Sequence, residues 1–557
     1  MPPQPDDADE PLSRRRFLGR AAAWSAGAAL APLLAACDTR RTVEDQGRRL
    51  VIAIPRGILS LDPAQAIMAL DGFIICNIHE TLTWHDLSAK LGPKLALSWE
   101  PAEDGRVWTF KLRPDVKFHD GTPFDSAAVK HHFTRLKDPA TKSKRVTKVS
   151  RLASIETPDP MTVRFLMNEP YAMWPVTIRD AFASIVSPTA VRRAEDEERE
   201  RASRESRSPE LAIAYHGAPV GTGPYKFAKF EPERFVRLTR NPDHRDAAQH
   251  RFEEVEFRVV REPTTRVIFL EQGKLDVADL LFAHTDVAEK SGRVKVMKEP
   301  FLALRYVGLN NMKPPFDDIR VRRAVNMAVD REALVKHALR GNALAARGLI
   351  PPGVPGAAND LPWFDHDPEA ARRLLREAGH AGGVDVTMWA IDDSLDTSLA
   401  VVMASQLAEV GVRVAIKRFD RATYWQQFDA YQTNTGGWFP TKAGVFDMFV
   451  AGWVGGEHPH GYLDPLFRST SASNSAFYKN PEVDRLIGDS LKGTDETARL
   501  AVYRKLQETI VADAPWLFAY FPRTLWGVNP KLEGVRIHPA GEYELAGVRL
   551  GGVTGAV

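Results

Sequence analysis

Residues 108–124 read WTFKLRPDVKFHDGTPF, and this stretch does most to indicate the fold class. Its first half alternates polar Thr109 and Lys111 with apolar Phe110 and Leu112. A period of two is typical of a β-strand with one buried face. We therefore predict a strand here, within a hairpin.

Turn and cap signals lie on both sides of this strand. Asp104-Gly105 predicts the tight turn of the hairpin, and the run HDGTP at 119–123 predicts a second turn. Asp125 is suited to cap a helix predicted over 126–136. A hairpin that leads directly into a helix indicates that strands and helices are mixed.

Strand and helix patterns alternate along the rest of the chain. Short apolar runs predict strands at 50–54, 162–165, 252–260 and 412–416. Helical periodicity predicts helices at 71–83, 264–272, 320–339, 369–378, 399–410 and 495–512, and a solvated charged helix at 192–207. This mixture predicts an α/β protein with mixed sheets.

Length and composition exclude several classes of protein. The chain has 557 residues, with 74 Lys and Arg against 72 Asp and Glu. A single core stops growing near about 300 residues, so at least two packed bodies are expected. The near-neutral balance lacks the basic excess of nucleic-acid-binding proteins, and two cysteines cannot form a disulfide framework.

The N-terminus predicts export. Arg14 and Arg15 lie in the run SRRRFL at 13–18, and an uncharged segment follows over 21–36. This segment is shorter than the roughly 20 residues of a membrane span, but it suits the apolar region of a signal peptide. With paired arginines ahead of it, the segment resembles a twin-arginine export signal.

The uncharged segment ends in Leu-Ala-Ala-Cys at 34–37, which resembles a bacterial lipobox. We predict that residues 1–36 are removed, that Cys37 carries lipid, and that residues 37–47 form a tether. The protein would then lie in the periplasm, anchored at the outer face of the inner membrane. The alternative is a short buried helix with a chance cysteine. Cys76 follows apolar residues and is predicted to be an inert core residue.

Seven motifs occur in one order along the chain. They are the stretch 108–124, GTGPY at 221–225, RNP at 240–242, QGKLD at 272–276, PPFDDIRVR at 314–322, DPEAARRLLREAG at 367–379 and NPEVD at 480–484. Together they resemble the family 5 extracellular solute-binding proteins, the receptors of ABC importers for peptides, nickel and oligosaccharides. The resemblance runs from about residue 48 to about residue 538.

The resemblance implies a two-lobe periplasmic-binding-protein fold of type II. Mapped onto this chain, lobe I covers 48–88, 177–300 and 521–557, its extra subdomain covers 89–176, and lobe II covers 301–520. The lobes would close over a small solute and deliver it to a membrane permease driven by an ATPase. The implied protein is a monomeric lipoprotein without cofactor or nucleic-acid partner, and peptide-like solutes rank ahead of oligosaccharides and chelated metals.

The stretch that contacts ligand departs from the family's pattern. Peptide receptors carry G-W-x-x-D-Y, in which the Asp holds the ammonium group of the ligand. Here 452–459 reads GWVGGEHP, so Trp453 is in place, Gly456 occupies the Asp position, and Glu457 follows it. This departure favours a ligand without a free amino terminus, or one bound in a different pose.

Further candidate ligand-binding residues are aromatic or amide side chains. Trp438 lies within an apparent insertion at 433–444, and Trp425 lies near it. Tyr306 and Asn310 complete the candidate set. Aromatic residues of this kind either pack in a core or stack on a flat ligand, and the sequence leaves both roles open.

The sequence offers only weak signals for metal binding and for catalysis. His458 and His460, with Glu457, are a candidate metal-ligand set on one short loop, but we predict no metal site because such sets are common by chance. No G-x-S-x-G, H-E-x-x-H or C-x-x-C motif occurs, so we predict no enzyme. A secreted lipoprotein hydrolase is the alternative from another class, and a signalling or chaperone-like subunit is a third.

Overall fold

The structure is a computed structural model that describes residues 48–424, 426–427, 446–540 and 543–551. Its strands are β1 Arg49–Ile54, β2 Thr83–His85, β3 Leu91–Pro93, β4 Ala96–Ala102, β5 Val107–Leu112, β6 Leu152–Asp159, β7 Thr162–Met167, β8 Tyr225–Glu231, β9 Phe235–Arg240, β10 Glu254–Val259, β11 Val277–Asp279, β12 Lys295–Pro300, β13 Ala303–Leu309, β14 Ala343–Ala345, β15 Val384–Ile391, β16 Val412–Phe419, β17 Met448–Val454, β18 Trp516–Val528, β19 Leu532–Glu533, β20 Arg536–Ile537, β21 Tyr543–Glu544 and β22 Arg549–Leu550.

Helices cover the sheets formed by these strands. They are α1 Ala69–Ile78, α2 Ser126–Lys137, α3 Trp174–Thr177, α4 Pro188–Arg204, α5 Leu211–Ala214, α6 Pro263–Glu271, α7 Phe282–Lys290, α8 Ile319–Ala328, α9 Arg331–Ala333, α10 Pro368–Glu377, α11 Ser394–Glu409, α12 His460–Phe467, α13 Pro481–Asp489 and α14 Glu496–Asp513. Among the described residues, none of the helices is both long enough and apolar enough to cross a membrane.

One long strand, β18, is shared by the two halves of the main sheet. The strand order is β16-β15-β17-β13-β18-β11-β1-β10-β9-β8, and β12 and β14 also pair with β18. The first part of β18 pairs with β13, where Tyr520 lies opposite Arg305, and its second part pairs with β12, where Arg523 lies opposite Pro300. The chain also passes between the halves from β12 to β13.

β1 shows how the interior is built. It runs parallel to β10 and is buried on both faces, as is typical of parallel strands. Leu50, Ile52 and Ile54 belong to the core that includes residues of α1, whereas Val51 and Ala53 belong to the core that includes residues of α6 and α7. A separate four-stranded sheet, in the order β4-β5-β7-β6, packs against α2.

The hairpin predicted around residues 108–124 is confirmed. β4 and β5 pair antiparallel, and Asp104 and Gly105 between them have φ values of 55° and 86°. The Asp125 carboxylate accepts a hydrogen bond of 2.9 Å from the backbone N–H of Ala128 at the start of α2. The turn and the cap are therefore formed by the residues that the sequence indicates.

Two predicted helices are shorter in the structure. The helix predicted over 71–83 ends at Ile78, because His79 is extended and β2 then pairs with β3. The helix predicted over 320–339 breaks at Val329, which has extended backbone angles. Asp330 then starts α9 by accepting a 2.9 Å hydrogen bond from the N–H of Ala333.

The predicted core position of Cys76 is also wrong, since its side chain is only half-buried.

Candidate functional site

The candidate ligand stretch leaves the end of β17 and packs closely against α12. The indole N–H of Trp453 donates to the carbonyl oxygen of Gly461 over 2.8 Å, and the ring packs against the neighbouring core. A Cβ atom on Gly455 would lie 2.6 Å from the ring of Tyr462, so this position has room only for glycine. The Tyr462 hydroxyl lies 2.9 Å from the carbonyl oxygen of Gly456. These contacts fix the path of the loop.

Glu457 turns into the protein and meets three side chains from distant segments. Its residue surface is only 8% exposed. Nε of Arg179 donates to its Oε2 over 3.0 Å, and Nη2 of Arg179 donates to the same oxygen. Nδ1 of His85 lies 3.5 Å from Oε2, and Nδ1 of His538 lies 3.7 Å from Oε1. We call these four residues the Glu457 cluster.

Hydrogen bonds show that His85 is neutral. Nε of Arg179 donates to Nδ1 of His85 over 2.8 Å, so this ring nitrogen carries no proton. Burial, followed by the nearby Arg179 guanidinium, lowers the pKa of His85 to about 3. Nη1 of Arg179 donates to the carbonyl oxygen of Val176 over 2.6 Å, which fixes the guanidinium plane.

His538 is also held by the backbone on both sides of its ring. Its Nδ1 accepts a hydrogen bond of 3.1 Å from the N–H of Ala540. Its Nε2 lies 3.0 Å from the carbonyl oxygen of Asp86 and therefore donates to it. This arrangement is satisfied by the neutral tautomer, so Arg179 supplies the positive charge of the Glu457 cluster.

The charge of Glu457 is therefore matched within the protein. Burial raises the pKa of this carboxyl group, but the adjacent Arg179 guanidinium outweighs burial and lowers the pKa to about 2. The carboxylate is ionised at neutral pH, and its partner is the Arg179 guanidinium. A ligand ammonium group would have to displace that guanidinium to reach Glu457.

The structure also explains why glycine occupies position 456. Gly456 has a φ of 72°, which disfavours side chains. A Cβ atom there would lie 2.8 Å from Nη2 of Arg179. The side chain of an aspartate at this position would therefore clash with Arg179, which neutralises Glu457. The observed position of the Arg179 guanidinium thus requires glycine at position 456.

Tyr306 and Asn310 lie in the interior beside β17. The Tyr306 ring stacks on Trp516 with ring centroids 3.7 Å apart. Nδ2 of Asn310 donates to the carbonyl oxygen of Phe446 over 3.1 Å, and its Oδ1 accepts from the N–H of Met312 over 3.2 Å. These side chains are used in packing and in holding the backbone.

Several other candidates lie outside the described residues. They are the aromatic candidates Trp425 and Trp438, the lipidation candidate Cys37, and the export-signal residues Arg14 and Arg15.

The histidines of the loop do not converge with Glu457. Nδ1 of His458 accepts a 3.1 Å hydrogen bond from the N–H of His460, and its ring meets Tyr503 edge-on. Nε2 of His460 lies 3.4 Å from Asp464. Within the residues that the structure describes, no group of three or more His, Cys, Asp or Glu side chains is arranged to hold a metal ion.

The sequence did not predict Arg179, His85 or His538 as site residues. The three are far apart in the chain, and none of them lies in a motif that marks binding. Only their contact with Glu457 in the folded chain identifies them.

The comparisons with known proteins agree with this architecture. The family model described as "Bacterial extracellular solute-binding proteins, family 5 Middle" matches residues 90–474. The chain is 30% identical over 496 residues to the glutathione-binding protein GsiB of Pectobacterium atrosepticum, which covers 88% of this chain and 91% of that protein. The corresponding protein of Escherichia coli is 29% identical over 497 residues, with 88% and 92% covered.

Solved structures match nearly the whole chain. HbpA2 from Haemophilus parasuis gives a TM-score of 0.77 at 23% identity, with 90% of this chain and 100% of that chain covered. DppA from Helicobacter pylori, in complex with the peptide STSA, gives 0.71 at 24% identity, with 91% and 99% covered. NikA from Brucella suis, in complex with Fe(III)-EDTA, gives 0.76 at 24% identity, with 90% and 99% covered. These likenesses show the two-lobe binding-protein fold.

These relatives are binding proteins and not enzymes, so the hydrolase alternative is not supported. Family 5 proteins work outside the cytoplasm with the permease and ATPase subunits of ABC importers. The chain therefore belongs to the bacterial extracellular solute-binding proteins of family 5 and is a solute-binding protein of an ABC importer.

Proposed function

We propose that this protein captures a short peptide-like solute between two closing lobes and delivers it to a membrane permease. The relative of 30% identity that is named for binding glutathione, itself a tripeptide, supports a ligand of this class. The proposed lobes keep the boundaries 48–88, 177–300 and 521–557 for lobe I, with 89–176 as its subdomain, and 301–520 for lobe II. The change of β18 partners between Tyr520 and Arg523 supports that division.

The contact between Arg179 and Glu457 is the observation that carries the proposal. With these boundaries, Arg179, His85 and His538 belong to lobe I, whereas Glu457 belongs to lobe II. A buried ion pair across the lobes stabilises the closed form only when the lobes meet. Capture of the solute and formation of this pair are therefore coupled.

A ligand panel tests the solute class. We expect reduced glutathione or other di- and tripeptides to raise the melting temperature of the protein by several degrees, because a ligand that binds only the folded state stabilises it. Titration calorimetry then gives Kd for each hit. If only an oligosaccharide or a nickel–histidine complex raises the melting temperature, the peptide proposal is wrong and that ligand class replaces it.

We also propose that lipid on Cys37 anchors a monomeric protein at the outer face of the inner membrane, after export directed by Arg14 and Arg15. The lipobox-like run at 34–37 supports this anchor. Labelling of cells with radioactive palmitate tests it. Cys37→Ala should lose the label and leave the membrane fraction, whereas the matched control Cys76→Ala should keep both. A Cys37→Ala protein that keeps the label would exclude this anchor.

A further inference from the structure

A cavity of about 980 Å³ is lined by His85 and His538 but not by Arg179 or Glu457. Its walls are the β2–β3 hairpin, the last turn of α1, the segment 244–250 and, near the C-terminus, residues 536, 538 and 544–546. His85 and His538 line it and also contact Glu457, so the two rings are shared by the cavity and the Glu457 cluster.

The cavity lies at the end of the sheet where β1 and β10 begin. α1 starts beside the loop that follows β1, where the N–H of Leu59 donates to Asp71 over 3.0 Å. It ends at the cavity, which Cys76 and Asn77 line. The segment 244–250 precedes β10 and forms another wall. The cavity is thus at the opposite end of this sheet from the loop after β1.

Basic side chains outnumber acidic ones on the walls of the cavity. The basic residues that line it are Lys90, Lys94, Arg113, Arg245 and Arg536, and the acidic ones are Asp86, Asp246 and Glu544. The three carboxylates are all engaged, and so are three of the basic residues. Arg245 pairs with Asp246 and with the buried carboxylate of Glu80, Lys94 lies 3.7 Å from Glu80, and Arg536 pairs with Glu544 at 3.1 Å. Asp86 accepts from the backbone N–H groups of Ser88 and Lys90 over 2.9 and 3.0 Å.

Several hydrogen-bonding groups on the walls are left for a ligand. Within the described part of the chain, Nζ of Lys90 has no hydrogen-bond or ion-pair partner, and Arg113 uses only its Nε, which donates to the carbonyl oxygen of Lys94 over 3.1 Å. Nε2 of His244 is engaged, since it lies 3.6 Å from the buried Glu80 carboxylate, whereas Nδ1 of His250 is buried without a hydrogen-bond partner. Unsatisfied buried polar atoms are rare and call for a partner.

The walls also offer apolar surface. Trp84, Leu91, Pro93 and Leu545 line the cavity between the charged groups. We propose that this cavity is a second binding site, for a small organic anion with two or more carboxylates on a short carbon skeleton. Lys90 and Arg113 bind the carboxylates by charge-assisted hydrogen bonds, and Trp84 contacts the carbon skeleton. The site is separate from the proposed peptide site and does not depend on it.

The position of Cys76 allows a test that reports on this cavity alone. The sequence has two cysteines, so a Cys37→Ser chain contains Cys76 as its one thiol. The rate at which uncharged N-ethylmaleimide modifies Cys76 is measured with and without citrate, and the heat of citrate binding is measured by titration calorimetry. We expect citrate to slow the modification about fivefold or more and pyrophosphate, which lacks a carbon skeleton, to slow it less.

Matched variants separate a site from a general salt effect. Lys90→Met with Arg113→Met should abolish the citrate protection and weaken citrate binding about tenfold or more, whereas Lys130→Met, on the exposed face of α2, should change neither. Peptide binding should be unchanged in both. The proposal is overturned if citrate gives neither protection nor heat, if sodium chloride of equal ionic strength protects equally, if pyrophosphate protects better than citrate, or if protection survives in the double variant.

Discussion

Arg179 and Glu457 lie 278 residues apart in the chain, yet Nε of Arg179 donates to Oε2 of Glu457 over 3.0 Å in the interior. The side chains are only 13% and 9% exposed, so both charges have lost most of their water. Replacing both charged groups by apolar ones can be neutral in stability, but removing one leaves the other buried without a partner. The pair therefore couples two distant segments strongly.

Breaking this pair should destabilise the protein. We expect Arg179→Met to lower the free energy of unfolding by about 3–5 kcal/mol, because Glu457 is left as a buried charge without its guanidinium. Arg179→Met combined with Glu457→Gln should cost less than the sum of the single changes. Urea unfolding of the four proteins measures both effects.

An exposed pair provides the control for that experiment. Arg504 and Asp360 form an ion pair at 2.9 Å, but their side chains are 48% and 70% exposed. Arg504→Met should therefore cost no more than about 1 kcal/mol. An equal loss in Arg504→Met and Arg179→Met would contradict the special role of the buried pair.

The protein should lose stability as the pH falls below neutrality. The pKa of His85 is about 3 in the folded protein against an ordinary value of 6.5, so below pH 6.5 the unfolded chain binds a proton that the folded chain does not. This difference in proton binding lowers the free energy of unfolding by about 1.4 kcal/mol for each pH unit between pH 6.5 and pH 3, and it has no effect above pH 6.5. Glu457, with a pKa of about 2 against 4.5, adds a further loss below pH 4.5.

A histidine variant isolates the contribution of His85. In His85→Gln the amide oxygen still accepts from Arg179 but takes up no proton. The difference in unfolding free energy between pH 7 and pH 5 should therefore shrink by about 2 kcal/mol. His366→Gln, at an exposed position, should leave that difference unchanged. An unchanged pH dependence in His85→Gln would show that this ring does not titrate as described.

Two glycines with nearly the same backbone angle test the fit of Arg179 against the loop. Gly456 has a φ of 72° and Gly341 a φ of 74°, so alanine is similarly strained at both. A Cβ atom at Gly456 meets Nη2 of Arg179, whereas a Cβ atom at Gly341 meets nothing within 4 Å. Gly456→Ala should therefore lower the melting temperature more than Gly341→Ala does. Equal losses of melting temperature in the two variants would show that the Arg179 side chain moves aside without loss of stability.

Local signals made part of the fold predictable. Asp104 and Gly105 form their turn by backbone preference, and Asp125 caps a backbone N–H three residues further on, so neighbouring residues suffice. The break at Val329 is different. Arg331 donates from Nε to the carbonyl oxygen of Phe518 over 2.6 Å, a contact 187 residues away that periodicity cannot reveal.

The candidate site was less predictable than the fold for the same reason. Gly456 and Glu457 stand out in the sequence because they depart from the family's pattern. The partner of Glu457 is not visible there, since Arg179 lies 278 residues away in the chain. The sequence therefore places Glu457 beside the Asp position of the family's pattern but does not show that its charge is matched, as it is in the structure.

If the proposed peptide function is correct, the amino group of the ligand should contribute little through Glu457. Because Arg179 already neutralises this carboxylate, N-acetylation of a bound peptide should change Kd by less than about threefold, whereas loss of a charge-assisted bond to an ammonium group would cost about tenfold or more. In Arg179→Met the carboxylate loses its guanidinium, so the unmodified peptide should now bind better than the acetylated one. Titration calorimetry of both peptides with both proteins gives the four constants. A tenfold loss on acetylation in the unaltered protein would mean that ligand binding displaces Arg179 and restores the ammonium clamp.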